Sequence, residues 1–239
     1  MGEGCGNDAE LMQFVTSANI ACGYHAGDLD TMRRTVDLAI ENGVAIGAHP
    51  GYRDYQNFGR TEMNLSPDEV RELVTDQIAS LDSITKAAGG RLTHVKPHGA
   101  LYNQSARDAE LAVTIADAVA EYDKDLVLFG LSGSVSIDEA KKRGLRTASE
   151  VFADRTYQTN GSLTPRSEPN ALISDTDSAV AQVLDMIKYG RVRSVDAIMA
   201  RIVAETVCIH GDGEHAVEFA RTINVKLAEN GVTIRSLNG

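Results

Sequence analysis

The sequence predicts an α/β protein whose parallel strands carry polar residues at their carboxyl ends. Short apolar runs alternate with helical patterns along the whole chain, which is typical of a parallel sheet. Five of the runs lead directly into histidine or acidic residues. Since the carboxyl ends of parallel strands share one edge of a sheet, where ligands bind, we expect one polar site there. The five junctions are at 24–28, 49–50, 96–98, 153–155 and 209–212.

Length and composition are those of a folded protein with a sizeable core. The 239 residues are 43% hydrophobic and 24% charged, which predicts a single domain over 1–239 and excludes disordered and collagen-like classes. The net charge of −11 would repel phosphate backbones, so no nucleic-acid partner is expected. The sequence contains neither a signal peptide nor an apolar run of transmembrane length, so we expect a cytoplasmic protein with no membrane partner.

The first half of the chain is predicted from apolar periodicity and from helix-capping residues. Gly43 ends one helix, and Ser66, Pro67 and Glu69 form a strong helix start with a capping box. Ser105 is predicted to cap a further helix. The predicted helices cover 8–17, 30–42 and 66–88, and the predicted strands cover 19–24, 44–48 and 92–98.

The second half continues the alternation, with one segment left open. Residues 191–204 fit a helix and a strand equally well. The predicted strands cover 126–131, 145–153, 205–210 and 232–235, and the predicted helices cover 135–143, 174–189 and 213–229.

Two long irregular stretches, 50–65 and 154–170, separate these elements. Loops of such length in compact domains are usually functional or disordered. The first contains aromatic residues with Asp54 and Arg60, and the second contains Arg155 and Arg166. Such residues suit loops that cover a site and bind a substrate.

Side-chain alternation places several polar residues on shared strand faces. His94, Lys96 and His98 share one face, where they form either a site or a satisfied polar layer; we favour the site. Glu150 shares a face with Asp154, and it could pair with Lys96 or serve as a general base.

Other polar residues leave their roles open. Asp28 and Asp212 each precede a helix, where N-capping is as good an interpretation as catalysis. The residues His25, His49, His98 and His210 could bind a metal, although their spacing matches no known metal motif. Neither a P-loop nor a GxSxG nucleophile motif occurs in the sequence.

Six segments together resemble the LamB/YcsF family, and the resemblance extends over essentially the whole chain. The segments are NIACGYHAGD at 19–28, GAHPGYRDYQNFGR at 47–60, HVKPHGALYN at 94–103, EVFADRTY at 150–157, PRS at 165–167 and TVCIHGDGEHA at 206–216.

The resemblance implies a fold and a reaction. The fold is a distorted (β/α) barrel, distantly similar to metal-dependent polysaccharide deacetylases. The reaction is the ATP-coupled hydrolysis of 5-oxo-L-proline to L-glutamate, in which this chain would be the A subunit of a 5-oxoprolinase that also contains subunits B and C. Since no ATP-binding motif is present, we expect the partner subunits to bind ATP. A homo-oligomer is compatible with the resemblance, and a divalent metal is a further candidate cofactor, with His25, His49 and His98 as candidate ligands.

The family's motif residues also imply a set of site residues. The motif residues that carry over are His25, Asp28, His49, Lys96, His98, Glu150, Asp154, His210 and Asp212. As catalytic residues we expect Lys96, His98, Glu150, Asp154 and His25. As substrate-binding residues we expect His49, Asp54, Arg60, Asn103, Arg155, Arg166, His210 and Asp212.

Two other functions stay open at this stage. One is a metal-dependent deacetylase of carbohydrate amides, and the other is a non-catalytic binding or regulatory subunit. One departure from the family affects the expected fold: members begin with a strand of the type Asp-Leu-Asn-x-Asp before the Gly2-Glu3-Gly4 loop, and we expect that first barrel strand to be absent from this sequence. We expect the strand that follows the loop to lose a neighbour and the protein to be less stable for it.

Overall fold

Consecutive β-strands of the amino-terminal half pair in parallel, in the order in which they occur in the chain. The computed structural model describes residues 1–211, 213 and 215–237. The chain forms two compact units, and the prediction of a single domain over 1–239 stays a prediction. Unit 1 contains 1–130, 135–148 and the carboxyl-terminal residues from 235, and unit 2 contains 131–134 and 149–234.

The sheet of unit 1 has the strand order β1-β2-β3-β4-β5, and the register of its first three pairs is parallel. The predicted α/β class with a parallel sheet is therefore confirmed. The strands are β1 (Ser17–Ala21), β2 (Ala45–His49), β3 (Leu92–Val95), β4 (Val127–Leu131) and β5 (Arg146–Phe152), of which β5 continues into unit 2.

Helices cover the sheet of unit 1 and bury a large apolar core. The capping box predicted at Ser66 is present, and Ser66 accepts a hydrogen bond from the Glu69 amide. The core includes Ile20, Val95 and Leu128, each at most 1% exposed. The helices are α1 (Asp8–Leu11), α2 (Leu29–Glu41), α3 (Pro67–Ala87), α4 (Gly99–Ser105), α5 (Ala109–Tyr122) and α6 (Val135–Lys142), and a 3-10 turn covers Tyr55–Asn57.

The amino-terminal residues lie against β1, which is the edge strand of the sheet within the described residues. The Ala21 amide donates to the Met1 carbonyl at 2.9 Å, and the Met1 amine donates to the Asn19 carbonyl at 2.8 Å. Part of the β1 edge that we expected to be unpaired therefore has hydrogen-bond partners.

Unit 2 pairs the end of β5 in parallel with β8 (Thr206–Cys208) and adds a separate hairpin. In that pairing, Glu150 is opposite Thr206 and Phe152 is opposite Cys208. The two helices of unit 2 pack together over Ala153 and Val183. The elements are α7 (Thr176–Tyr189), β6 (Arg191–Arg193), β7 (Met199–Arg201), β8 (Thr206–Cys208) and α8 (Ala216–Glu229), with β6 and β7 antiparallel.

Three local predictions were wrong. The first helix ends at Leu11 rather than at 17, because Ser17 already begins β1. Ser105 ends α4 instead of capping a helix, and Asp108 caps α5. The segment 232–235 forms no strand.

Among the described residues, no helix is both long and apolar enough to cross a membrane.

Candidate functional site

Three histidines of unit 1 come together beyond the carboxyl ends of its strands. His49 is the last residue of β2, His98 is the N-cap residue of α4 shortly after β3, and His25 lies in the loop after β1. All three are buried. The rings of His25 and His98 stack in parallel with centroids 3.7 Å apart, and the His49 ring meets the His98 ring edge-on at 4.7 Å.

Two glycines of the 50–65 loop make room for the stacked pair. A Cβ on Gly51 would lie 2.8 Å from Nδ1 of His25, and a Cβ on Gly59 would lie 2.8 Å from Cβ of His25. Gly59 also has a φ of +65°, a backbone conformation that residues other than glycine adopt only at a cost in free energy. The loop that the sequence predicts to cover a site therefore packs its backbone directly on the histidine cluster.

Backbone carbonyls fix the tautomers of His49 and His98. Nδ1 of His49 lies 2.6 Å from the Lys96 carbonyl oxygen, and Nε2 of His98 lies 2.8 Å from the Phe58 carbonyl oxygen. Because a carbonyl oxygen can only accept, each of these nitrogens carries the hydrogen. The two remaining ring nitrogens, Nε2 of His49 and Nδ1 of His98, face each other at 3.0 Å.

Glu3 adds a carboxylate to this cluster, and the sequence analysis missed it. One carboxylate oxygen of Glu3, one ring nitrogen of His49 and one ring nitrogen of His98 all lie within 4.8 Å of one another, a spacing at which the three could hold one metal ion. Glu3 lies 3.5 Å from Nε2 of His25. The feature of the sequence that could have indicated Glu3 is its position as a single acid between two glycines near the amino terminus. Gly2 and Gly4 both adopt a positive φ.

The environment of the cluster sets its protonation. Burial opposes ionisation of Glu3, but the charge of the Met1 amine and the nearby His25 ring outweigh it and lower the Glu3 pKa to about 2. Burial, followed by the charge of His25, lowers the His98 pKa to about 3. Burial and the charges of His98 and Lys96 lower the pKa of His49 well below its ordinary value. Glu3 is therefore ionised and the imidazoles of His49 and His98 are neutral near pH 7.

The shared strand face predicted for His94, Lys96 and His98 divides between two environments. Lys96 is buried after β3, and its ammonium lies 5.6 Å from the centre of the Tyr102 ring. His94 instead stacks on Phe129 at 4.3 Å inside unit 1. For His94 alone, the satisfied polar layer is the correct interpretation.

Several loop residues of unit 1 shape the surroundings of the cluster. Asp54 accepts hydrogen bonds from Asn57 and Thr61, so it holds the 50–65 loop in its turn. The Arg60 guanidinium lies 4.9 Å from the centre of the Phe58 ring, which itself contacts His98.

Two further expected residues of unit 1 lie on or before helices. Asn103 is exposed on α4. Asp28 accepts from the Thr31 amide at 2.7 Å and is an N-cap, which was one of its two open interpretations.

Unit 2 contains a second polar array, formed by Asp154, His210 and Arg166. Nδ1 of His210 lies 2.7 Å from Asp154 Oδ2, and Arg166 donates to Nε2 of His210 at 3.1 Å. Nε2 therefore accepts, and Nδ1–H donates to the carboxylate. Burial alone would raise the pKa of Asp154, but the hydrogen bond from His210 leaves that pKa below its usual value. The other oxygen, Oδ1, is buried with no hydrogen-bond partner among the described residues.

The remaining expected residues of unit 2 differ in their surroundings. Arg155 is buried and donates to the carbonyl oxygens of Ala171 and Thr164, so it clamps the 154–170 loop. Glu150 is buried on β5. Burial of Tyr157 raises the pKa of its hydroxyl, and the charge of Glu150 adds to that rise. Asp212 lies outside the described residues.

Comparison with known proteins adds a family and a fold. The LamB/YcsF family model matches residues 1–239. A lactam utilization protein from Thermus thermophilus is 44% identical and superposes with a TM-score of 0.91 over 97% of this chain and 93% of that one. A candidate cellobiose-phosphate cleavage protein from Enterococcus faecalis is 16% identical, with a TM-score of 0.53 over 96% of this chain and 89% of that one, and shares the fold alone.

Proposed function

The chain belongs to the LamB/YcsF family, and on that premise we propose that it hydrolyses a lactam, 5-oxo-L-proline, to L-glutamate as the A subunit of an ATP-dependent 5-oxoprolinase. The match over all residues and the 44% identity to a lactam utilization protein support a reaction on a lactam. The observation that carries the proposed chemistry is the array of Asp154, His210 and Arg166 in unit 2.

In this proposal, His210 is the general base. Asp154 fixes the ring with its proton on Nδ1, which leaves Nε2 as the basic nitrogen. Arg166 is exposed and holds Nε2 in the free protein. When Arg166 turns to pair with the substrate carboxylate, Nε2 becomes available to take a proton from water.

The bond changes then follow those of amide hydrolysis. The water oxygen bonds to the lactam carbonyl carbon while its proton moves to Nε2 of His210. The carbon–nitrogen bond of the ring breaks, and the ring nitrogen leaves as an amine after taking up the proton from Nε2 of His210, which restores the neutral base. General base catalysis of this kind contributes roughly 10²- to 10⁴-fold to a rate.

The proposed reaction requires ATP because the lactam amide is stable toward attack by water. Transfer of a phosphoryl group from ATP to the lactam carbonyl oxygen, with release of ADP, would make the carbon more electrophilic. After water adds and the ring carbon–nitrogen bond breaks, that carbon carries an acyl phosphate, which a second water hydrolyses to the carboxylate of glutamate and free phosphate. Because the sequence contains no P-loop, we assign ATP binding and phosphoryl transfer to subunits B and C.

The experiment measures glutamate formation by the reconstituted three-subunit complex with 5-oxo-L-proline and ATP. We expect Asp154→Asn to lower kcat by roughly 100-fold or more, because the hydrogen-bond partner that orients His210 changes. We expect Arg166→Gln to raise KM by roughly tenfold, because the carboxylate contact is lost. Asp185→Asn, an exposed acid on α7, is the matched control and should retain wild-type rates.

Two results would contradict the proposal in different ways. No glutamate from the wild-type complex would exclude the reaction itself. Full activity of Asp154→Asn would exclude the base assignment and would favour the non-catalytic binding subunit. The melting temperatures of the variants must match that of the wild type, so that a loss of activity is not caused by unfolding.

A metal-dependent carbohydrate amide deacetylase is the second candidate, and the grouping of Glu3, His49 and His98 favours it. It predicts release of acetate from an N-acetylated oligosaccharide by this chain alone, with loss of that activity on chelation. Absence of acetate release from the metal-supplemented protein would exclude it.

A further inference from the structure

Two ring nitrogens of unit 1 face each other with no hydrogen between them when both rings are neutral. The Lys96 carbonyl requires the hydrogen of His49 on Nδ1, and the Phe58 carbonyl requires the hydrogen of His98 on Nε2. The lone pairs of the other two nitrogens then meet at 3.0 Å. Two acceptors at that distance repel each other, so the arrangement needs a positive species close to both.

Rotating either ring does not remove the conflict. If the His98 ring were turned over, a carbon would face the Phe58 carbonyl and the hydrogen bond at 2.8 Å would be lost. The same applies to His49 and the Lys96 carbonyl at 2.6 Å. Both rings are buried, so turning either one would leave its carbonyl oxygen without that hydrogen-bond donor.

A carboxylate lies at the same place. An oxygen of Glu3 is within 4.8 Å of a ring nitrogen of His49 and of a ring nitrogen of His98. Two neutral imidazole nitrogens and one carboxylate oxygen are the donor set of many sites for zinc and related divalent metals. Protein ligands to such metals commonly donate their other ring N–H to a backbone carbonyl, as both histidines do here.

The distance between the nitrogens fits one shared ion. Two nitrogens that each lie about 2.0–2.1 Å from zinc are about 2.9–3.4 Å apart at the usual angles between ligands. The observed 3.0 Å falls within that interval, so the histidines need little movement. The stacked His25 ring and the backbone of Gly51 and Gly59 hold the His98 ring from the other side.

We propose that Glu3, His49 and His98 form a binding site for one divalent transition-metal ion, with Nε2 of His49, Nδ1 of His98 and a Glu3 carboxylate oxygen as its protein ligands. Such an ion supplies Lewis acidity toward a carbonyl oxygen or a bound water. The site belongs to unit 1 alone, and the proposal holds whether or not the chain opens lactams. His25 is a positioning residue here, since it packs on a ligand ring.

The test is metal binding by the chelator-treated protein, measured without any substrate. Titration with Zn²⁺ in a calorimeter should give one equivalent per chain, and Co²⁺ should produce visible absorption bands typical of a site with few ligands. We expect Glu3→Gln, His49→Gln and His98→Gln each to weaken Zn²⁺ binding at least about 100-fold. The control His215→Gln, an exposed histidine of unit 2, should bind as the wild type does.

A second measurement tests the tautomers and guards against misfolded variants. Nitrogen-15 spectra of the metal-free protein should show His49 protonated on Nδ1 and His98 on Nε2, and both signals should move when Zn²⁺ is added. The melting temperature of each metal-free variant, compared with that of the metal-free wild type, shows whether the variant is folded. Binding that is unaffected by Glu3→Gln and His49→Gln would overturn the proposal, as would a proton shared between the two rings together with no Zn²⁺ binding.

Discussion

At the scale of single residues, His94 shows how burial determines the role of a polar side chain. It is 2% exposed, stacks on Phe129, and its Nε2 lies 3.1 Å from the Asn19 side-chain oxygen. Gly47 lies against its ring, because a Cβ there would be 2.0 Å from Nε2. Burial, followed by the charge of Lys96, lowers the His94 pKa to about 3.

This shift predicts a loss of stability in mild acid. The unfolded chain takes up the His94 proton near pH 6.5, whereas the folded chain takes it up only near pH 3. Protons therefore favour the unfolded state between these values, and the stability that the neutral His94 provides at pH 7 is lost as the pH falls through that window. We expect His94→Gln to reduce the slope of unfolding free energy against pH by up to about 1.4 kcal/mol per pH unit.

Urea unfolding between pH 7 and pH 5 measures that slope. Ile78→Val is the control, because it weakens the core of unit 1 by roughly 1 kcal/mol without removing a titrating group. An unchanged slope in His94→Gln would show that another group carries the acid sensitivity.

At the scale of secondary structure, α3 is the element whose sequence most fully determines its start. Ser66 accepts from the Glu69 amide at 3.4 Å, Glu69 accepts from the Ser66 amide at 2.7 Å, and Pro67 takes the first helical position. The helix then buries Val74, Ile78 and other apolar residues and packs on α5. Its ends were predicted to within a residue for these reasons.

Removing this cap should lower stability by a measurable amount. We expect Ser66→Ala to cost about 1 kcal/mol, which lowers the melting temperature by roughly 2–4 °C for a protein of this size. Ser66→Thr keeps the hydroxyl and should lose less than half as much. Calorimetry measures the melting temperatures of the two variants and the wild type. Equal melting temperatures for Ser66→Ala and the wild type would contradict a stabilising role of the Ser66 cap.

Elements without such signals were missed or misplaced. The N-cap residue of α4 is His98, whose side chain makes no capping bond, so nothing local separates that helix from the preceding strand. The turn of the β6–β7 hairpin contains Ala197 at a φ of +61°. Alanine rarely adopts this backbone conformation, so its presence in the sequence does not indicate a turn there. Tertiary contacts, rather than local preference, decide these segments.

At the scale of the whole molecule, the sequence predicted which strand ends carry polar residues better than it predicted which of those residues meet. His25, His49 and His98 were expected to meet and do so in unit 1, while Asp154 and His210 do so in unit 2. Glu3 was missed because a glycine-rich loop places it beside residues distant in sequence, and no periodicity encodes that approach. Hydrogen-bond partners such as the Phe58 carbonyl are likewise set by the folded loop.

The charge of the chain bears on how ATP enters the proposed reaction. With 34 acidic against 23 basic residues, the chain carries a net charge of −11 and a pI near 5.0, so its average potential repels a polyphosphate at pH 7.

The purified chain should therefore neither bind ATP detectably at about 1 mM nor hydrolyse it, whether or not 5-oxo-L-proline is present. Addition of subunits B and C should bring ATP consumption and glutamate formation together in equal amounts. Calorimetry with ATP and a phosphate-release assay measure both. ATP turnover by this chain alone would overturn the assignment of ATP to its partners, while leaving the roles of Asp154 and His210 to be tested on their own.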